Sequence, residues 1–259
     1  MALKKENWEE KEKRAQQAQA HTQKMEEQYK DQIKDSIKRT ILYDVDFTSQ
    51  KDAVRPTEIL VSDMDSVSAI KVYGKKDKRT AVLNFASFKN PGGMFITGSK
   101  AQEESLCHES FLYNVLKEMT AYYEWNKQNK NRALYKNRGL YSPDVLFFKD
   151  GLTLPCDVIT CAAPNMSAAR RYQKVTKEEN TEVLRSRIRF VLDIAKEQEV
   201  DLLILGAFGC GVFGQDAAEV AEIFKEYLTT THRCFEQVIF AVPQGKDKNY
   251  DKMKASFLP

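Results

Sequence analysis

Two stretches of the chain hold residues whose types and spacing could do chemistry. The first runs from Leu83 to Glu104, where an apolar run enters an Asn90-Pro91-Gly92-Gly93 turn and a short loop then leads to Gln102-Glu103-Glu104. Two carboxyl groups at the start of a helix are favoured as anions by the helix dipole, while each raises the other's pKa by like-charge repulsion. A carboxyl group held partly neutral can deliver a proton, and an acid beside a second carboxylate is the pairing that cleaves glycosidic bonds. Gly92 and Gly93 carry no Cβ and let the backbone close on a ligand. Taken alone, Glu103-Glu104 also suits an ordinary first helical turn, where acidic residues are common.

The second stretch is Leu202 to Asp216, an apolar strand feeding Gly206, Gly209, Gly211 and Gly214 ahead of a helix. Free backbone N–H groups beside a helix start form an anion cradle. A tight crossover is the plainer alternative, but it seldom needs four glycines. Gly209-Cys210-Gly211-Val212-Phe213-Gly214 matches a dinucleotide fingerprint literally. It falls late in the chain, however, with no acidic residue at a strand end about 20 residues on, and no Walker lysine follows. Cys210 has no histidine near it in sequence to activate it as a nucleophile.

These residues need a scaffold, and the rest of the sequence supplies one. Residues 5–40 are rich in Glu, Lys, Gln and Ala without Pro or Gly, and predict a helix. Its thin apolar stripe (Trp8, Ala15, Ala18, Met25, Tyr29, Ile33, Ile37) suits an arm packed on the body better than a coiled-coil zipper. Beyond it, strands at 59–61, 80–85, 145–148, 156–163, 201–207 and 237–242 alternate with helices starting near Asp63 and spanning 103–125, 176–199 and 216–229. A short helix closes the chain. Residues 126–143, polar, basic and Tyr-rich, read as a loop. Continuous apolar strands separated by helices predict an α/β fold with a sheet covered on both faces.

Composition narrows the function classes. The chain has 259 residues, 42% apolar and 30% charged, with a net charge of +3. That is globular, with little pull towards nucleic acid or an anionic membrane, so no direct nucleic-acid or membrane partner is expected. No apolar run approaches the roughly 18 residues of a membrane span, and the charged start, Met1 to Glu6, does not read as a signal peptide. Five cysteines (Cys107, Cys156, Cys161, Cys210, Cys234) without a CxxC pair, and three scattered histidines, give no legible zinc site and favour a reduced, cytoplasmic protein.

The run from Leu83 to Leu106, with its Pro-Gly-Gly turn and Gln-Glu-Glu triplet, resembles the signature of poly(ADP-ribose) glycohydrolases, most closely the microbial type. That signature is three glycines, a short spacer, then Gln-Glu-Glu. Ser142 to Val145, Ile159 to Asn165 and Gly206 to Gly214 are similar to the same family, as are the polar N-terminal helix and Thr40 to Tyr43, so the likeness covers most of the chain. It departs at Met94, where the family has its third glycine. The resemblance implies a macrodomain-like three-layer fold, with a mixed central sheet between helices. A helical extension over residues 1–45 would precede a glycohydrolase domain over 46–259.

It further implies hydrolysis of the ribose–ribose bond of poly(ADP-ribose), or of polymer on ADP-ribosylated protein, to release ADP-ribose without cofactor or metal. Glu104 would be the catalytic acid. Glu103 and Asn90 would bond ribose hydroxyls, Gln102 would orient the loop, and Gly92 and Gly93 would admit ribose and phosphate. Gly209, Cys210, Gly211, Val212 and Phe213 would cradle the diphosphate, with Phe213 against the distal ribose and Phe240 near the adenine. An ADP-ribose-binding module with little activity, and a mono-ADP-ribosyl hydrolase, are the alternatives.

Overall fold

A computed structural model describes residues 2–52 and 54–258, with side chains from Trp8 onward. The reading of the first residues against a signal peptide rests largely on Met1 and side chains outside the described residues.

The N-terminal helix expected over 5–40 is two helices, α1 (Ala2–Gln28) and α2 (Lys30–Arg39). They part at Tyr29, whose backbone leaves the helical region at φ −128° and whose ring packs 4.9 Å from that of Phe148. Ala18, Met25 and Ile33 are buried against the body. Burying a side chain the size of Met25 or Ile33 is worth about 1.5–3 kcal/mol, so the arm is fastened between Ala18 and Ile33, whereas Trp8, read as part of the packing stripe, is 72% exposed.

A seven-stranded sheet follows, built from β1 (Ile41–Tyr43), β2 (Glu58–Ser62), β3 (Thr80–Phe85), β4 (Gly139–Lys149), β5 (Leu152–Cys161), β6 (Leu202–Leu205) and β7 (Gln237–Ala241). Its order is β1-β4-β5-β3-β6-β7-β2. The β1-β4 and β4-β5 pairs are antiparallel and the rest are parallel, giving the mixed sheet. The central strands are apolar on both faces because successive side chains point to opposite sides. Ala81, Leu83, Leu203, Leu205, Val238 and Phe240 enter one core. Val82, Leu202, Ile204 and Ile239 enter the other.

The first core is covered by α8 (Lys177–Glu197), α9 (Ala217–Thr229) and α10 (Asn249–Phe257). A capping box between Thr176 and Glu179 starts α8. The second core lies under α1, α2, α3 (Ser66–Tyr73), α4 (Gln102–His108), α5 (Leu112–Leu116) and α6 (Thr120–Gln128).

Three expectations change. The helix read over 103–125 is broken into α4, α5 and α6. The break at 109–111 follows from Ser110, which pairs with Phe147 of β4 in a bridge and turns its hydroxyl onto Leu106 O, while Phe148 N donates to Glu109 O at 2.7 Å. The loop read over 126–143 yields its last residues to β4, which starts at Gly139; Pro143 and a bulge between Ser142 and Val145, with Asp144 at φ +53°, hide the strand in the sequence. A further helix, α7 (Met166–Gln173), follows β5, capped by Asn165 Oδ1 accepting from Ala168 N at 3.0 Å.

Candidate active site

The carboxylate pair sits where β3 ends and α4 begins, and three backbone devices fix it. Gln102 bridges the two elements: its Oε1 accepts from Phe85 N at 2.9 Å and its Nε2 donates to Leu83 O at 2.8 Å and Ser66 Oγ at 3.1 Å. The side chain thus continues the edge of β3 and pins the start of α4.

Glu103 then points inward. Its Oε2 accepts from Ser87 N at 2.7 Å and its Oε1 from Asn84 Nδ2 at 3.2 Å. Glu104 lines the cleft, with Oε1 accepting from Met94 N at 2.9 Å.

Gly93 is required by this packing. It sits at φ +63°, and a Cβ there would lie 2.5 Å from Glu104 Oε1 and 2.9 Å from Glu103 Oε2. Gly92 at φ +62° is pressed against the Tyr113 ring. Met94, by contrast, has φ −114°, which any residue adopts. The backbone therefore does not demand the family's third glycine there. The Met94 side chain stands 49% exposed at the cleft edge.

Burial pushes the Glu103 carboxyl up to about 8, against the pull of the Ser87, Asn84 and Gly92 donors; the neighbouring Glu104 charge adds a smaller upward push. Desolvation, more than the like-charge repulsion expected from the sequence, therefore sets the ionisation of Glu103.

The opposite wall is the glycine loop after β6. Among its N–H groups, Cys210, Gly214 and Gln215 are spent on Ala207 O, Gly211 O and Gly209 O. Those of Gly209, Gly211, Val212 and Phe213 have no acceptor among the described residues, so four donors converge on one loop, as an anion cradle needs. The start of α9 is already capped by Asp216, which accepts from Ala218 N at 2.9 Å. The cradle therefore precedes the helix terminus instead of using it.

The glycines divide by role. A Cβ at Gly206 would meet Ala241 O at 2.7 Å, and one at Gly209 would meet the Ala163 Cβ at 2.7 Å. Gly214, at φ +72°, faces the Ser167 side chain. Gly211 alone of the four faces open space.

Between these walls lies a cleft of about 470 Å³, lined by Asn90, Gly93, Gln102, Glu103, Glu104, Gly209, Gly211, Val212 and Phe213 among the expected residues. Gly92 is buried beside it and does not line it. Cys210 does not line it either: its N–H is taken, and burial pushes its thiol up to about 12, so it stays protonated. Phe240 is buried in the first core, stacked 4.7 Å from Phe257, and cannot seat an adenine.

A second cavity of about 290 Å³ adjoins the first through Phe85, Gln102 and Ala207, and runs over the end of β7 to Asp65, Ala241, Val242, Pro243 and Asn249. Sequence reasoning missed this lobe because its residues come one or a few at a time from α3, β3, α4, β7, α10 and the loops between them, with no motif of their own that joins them. It also missed Asn84, although a fully buried amide inside an apolar strand was a legible sign. Among the described residues, no group of three or more His, Cys, Asp or Glu is placed to hold a metal ion, and no helix is long and apolar enough to cross a membrane.

A family model described as microbial-type PARG, catalytic domain, matches residues 9–150. The chain is similar to a poly(ADP-ribose) glycohydrolase from Thermomonospora curvata, at 30% identity and TM-score 0.84 over 95% of this chain and 100% of that one. The same Thermomonospora curvata glycohydrolase bound to the inhibitor ADP-HPD is 29% identical, with TM-score 0.81 over 95% and 100%. A Deinococcus radiodurans poly(ADP-ribose) glycohydrolase in complex with ADP-ribose is 33% identical, with TM-score 0.77 over 86% and 96%. None of the curated proteins compared matches the chain.

Proposed function

Because the chain belongs to the microbial-type poly(ADP-ribose) glycohydrolase family, we propose that Glu104 is the acid through which it works. The enzyme hydrolyses poly(ADP-ribose) and releases ADP-ribose. What carries the residue assignment is the division of labour in the pair. Both carboxyl groups are buried, but Glu103 has both oxygens taken by the Ser87 and Asn84 donors, while Glu104, held by Met94 N alone, keeps Oε2 without a partner among the described residues at the cleft wall.

In this reading the diphosphate lies along the free N–H groups of Gly209, Gly211, Val212 and Phe213, and the adenosine half enters the smaller cavity over β7. The distal ribose then stands between Phe213 and the carboxylates. Asn90, exposed at the rim, and Glu103 receive its hydroxyls. Glu104 passes its proton to the leaving ribose oxygen as the glycosidic C–O bond breaks, and an oxocarbenium-like ribose is left. Water adds to that carbon and returns a proton to Glu104.

The proton comes from a carboxyl group and the anion is met by backbone donors, so the step as drawn calls for no metal. Five cysteines with no disulfide among them support a reducing, cytoplasmic setting. Residues 1–45 act in this account as a brace on the domain of residues 46–259.

The assignment is tested by calorimetric affinity for ADP-ribose. Glu104→Gln should bind within a few-fold of wild type, because Gln keeps size and hydrogen bonding. Glu103→Gln should bind more weakly, because the ribose contact itself changes. Equal losses in both variants would contradict the division of roles.

A further inference from the structure

Two segments outside the catalytic reading hold an unusual share of the charge. Residues 126–138 contain five Lys or Arg and residues 165–177 contain four, with no Asp or Glu in either. Together they carry +9 in a chain of net +3, so the remainder sums to −6.

The fold sets these segments side by side. Asn165 N donates to Ala133 O at 3.0 Å, and Leu134, Ala169 and Val175 share a small apolar cluster. Both segments border the cleft wall, since the Tyr135 ring stands 6.1 Å from that of Phe213 and Ser167 N donates to Phe213 O at 3.1 Å.

Some of this charge is already engaged. Arg138 lies buried over the Trp125 ring, Arg132 pairs with Glu179 and Lys127 with Glu124. Lys130, Lys136, Arg170, Arg171, Lys174 and Lys177 are exposed and form no ion pair within 4 Å among the described residues. Among them stands Tyr172, 67% exposed, with the Arg171 guanidinium 5.3 Å from its ring. The turn at Asn131, Arg132 and Ala133 holds three successive left-handed residues, at φ +43°, +52° and +65°. Such backbone persists only where its surroundings fix it; here Asn131 Nδ2 donates to Tyr135 O at 3.0 Å.

The direction of the cleft says what would meet this surface. The sheet order places β7 under the smaller cavity and β5, ending near Ala163, under the far end of the larger one. With the terminal unit's adenosine over β7 and its distal ribose at Glu104, the rest of the polymer leaves past β5. This step rests on the substrate placement given above.

We propose that the basic face formed by α7 and residues 130–136 binds the next ADP-ribose unit of the polymer. Its lysines and arginines meet the diphosphate, and Tyr172 stacks on the adenine. The enzyme would then hold a polymer more tightly than its own product, which favours release of ADP-ribose after cleavage.

The test uses two full-length variants, Arg170→Glu/Arg171→Glu/Lys174→Glu and Tyr172→Ala, each measured on long polymer and on free ADP-ribose. Both should raise KM for polymer at least about fivefold, in the range of lost phosphate and base-stacking contacts. Affinity for free ADP-ribose and kcat should hold at wild-type values. Unchanged KM for polymer would overturn the proposal while leaving the cleft intact. Loss of affinity for polymer and free ADP-ribose together would also overturn it, and would place α7 in the terminal-unit site. If wild type fails to bind free ADP-ribose at all, the cleft reading falls and the proposal with it. Tighter wild-type binding to single-stranded poly(A) than to poly(ADP-ribose), lost in the same variants, would make the face a nucleic-acid surface and refute the polymer assignment.

Discussion

At the scale of single residues, the two carboxylates differ in surroundings more than in chemistry. Glu103 is enclosed, and burial raises its pKa from about 4.5 to about 8. A group that holds its proton more tightly folded than unfolded stabilises the fold at low pH, and that contribution is lost as pH rises through the folded pKa. Stability should therefore decline between about pH 5 and pH 8, and Glu103→Gln should flatten the decline in thermal melts. A wild-type-minus-variant difference in Tm that stays constant over that range would show that Glu103 titrates normally.

Gly211 supplies a second residue-scale test. Its Cβ position meets nothing within 4 Å, so Gly211→Val should fold normally. It should still weaken ADP-ribose binding at least about tenfold, because the branched side chain takes up phosphate space beside the free N–H groups. Unchanged calorimetric affinity would mean the cradle lies elsewhere. The sequence showed the acidic pair and the glycine loop, but not which glycines serve the ligand. That distinction depends on what each absent side chain would strike, which only the packed fold reveals.

At the scale of elements, α1 does more than cover apolar surface. It runs against the 3-10 turn of Phe95–Thr97, where Arg14 Nε donates to Gly98 O at 2.8 Å. Gly98, at φ +78°, leaves no room for a Cβ beside the α1 backbone. Phe95 is buried beneath this contact, its ring 4.6 Å from His108 and 5.1 Å from Tyr113. The turn follows directly on Met94, whose N–H holds Glu104. Arg14→Ala should consequently lower kcat by about tenfold through loop misplacement, with ADP-ribose affinity little changed and Arg14→Lys restoring part of the loss. Steady-state kinetics decide it; a wild-type kcat in Arg14→Ala would reduce α1 to a cover.

The strand and helix pattern was legible wherever apolar runs were long, as in β3, β6, α8 and α9. It failed where tertiary pairing overrode local pattern: Ser110 interrupts a helix to meet β4, and a bulge at Asp144 lets β4 continue past Pro143. Helix α7 was missed because eight residues with two arginines carry little periodicity.

At the scale of the whole molecule, a sheet with covered faces has its ligand crevice at the strand ends, and this chain brings both motifs there from opposite sides. Leu83 to Glu104 supplies one wall and Gly206 to Gly214 the other, although about a hundred residues separate them in sequence. The family resemblance carried the joint reading of these segments, since neither motif alone fixed the substrate. The smaller cavity escaped sequence reasoning because it is assembled from the starts of α3, α4 and α10, the ends of β3 and β7 and the loops beside them. Glu104, on this placement, donates the proton. The direct measurement is turnover of poly(ADP-ribose) by Glu104→Gln beside wild type, with ADP-ribose affinity measured on the same preparations. Turnover should fall at least about a hundredfold, the loss expected on removing a positioned general acid, in a protein that still binds ADP-ribose. Near wild-type hydrolysis by Glu104→Gln would contradict it.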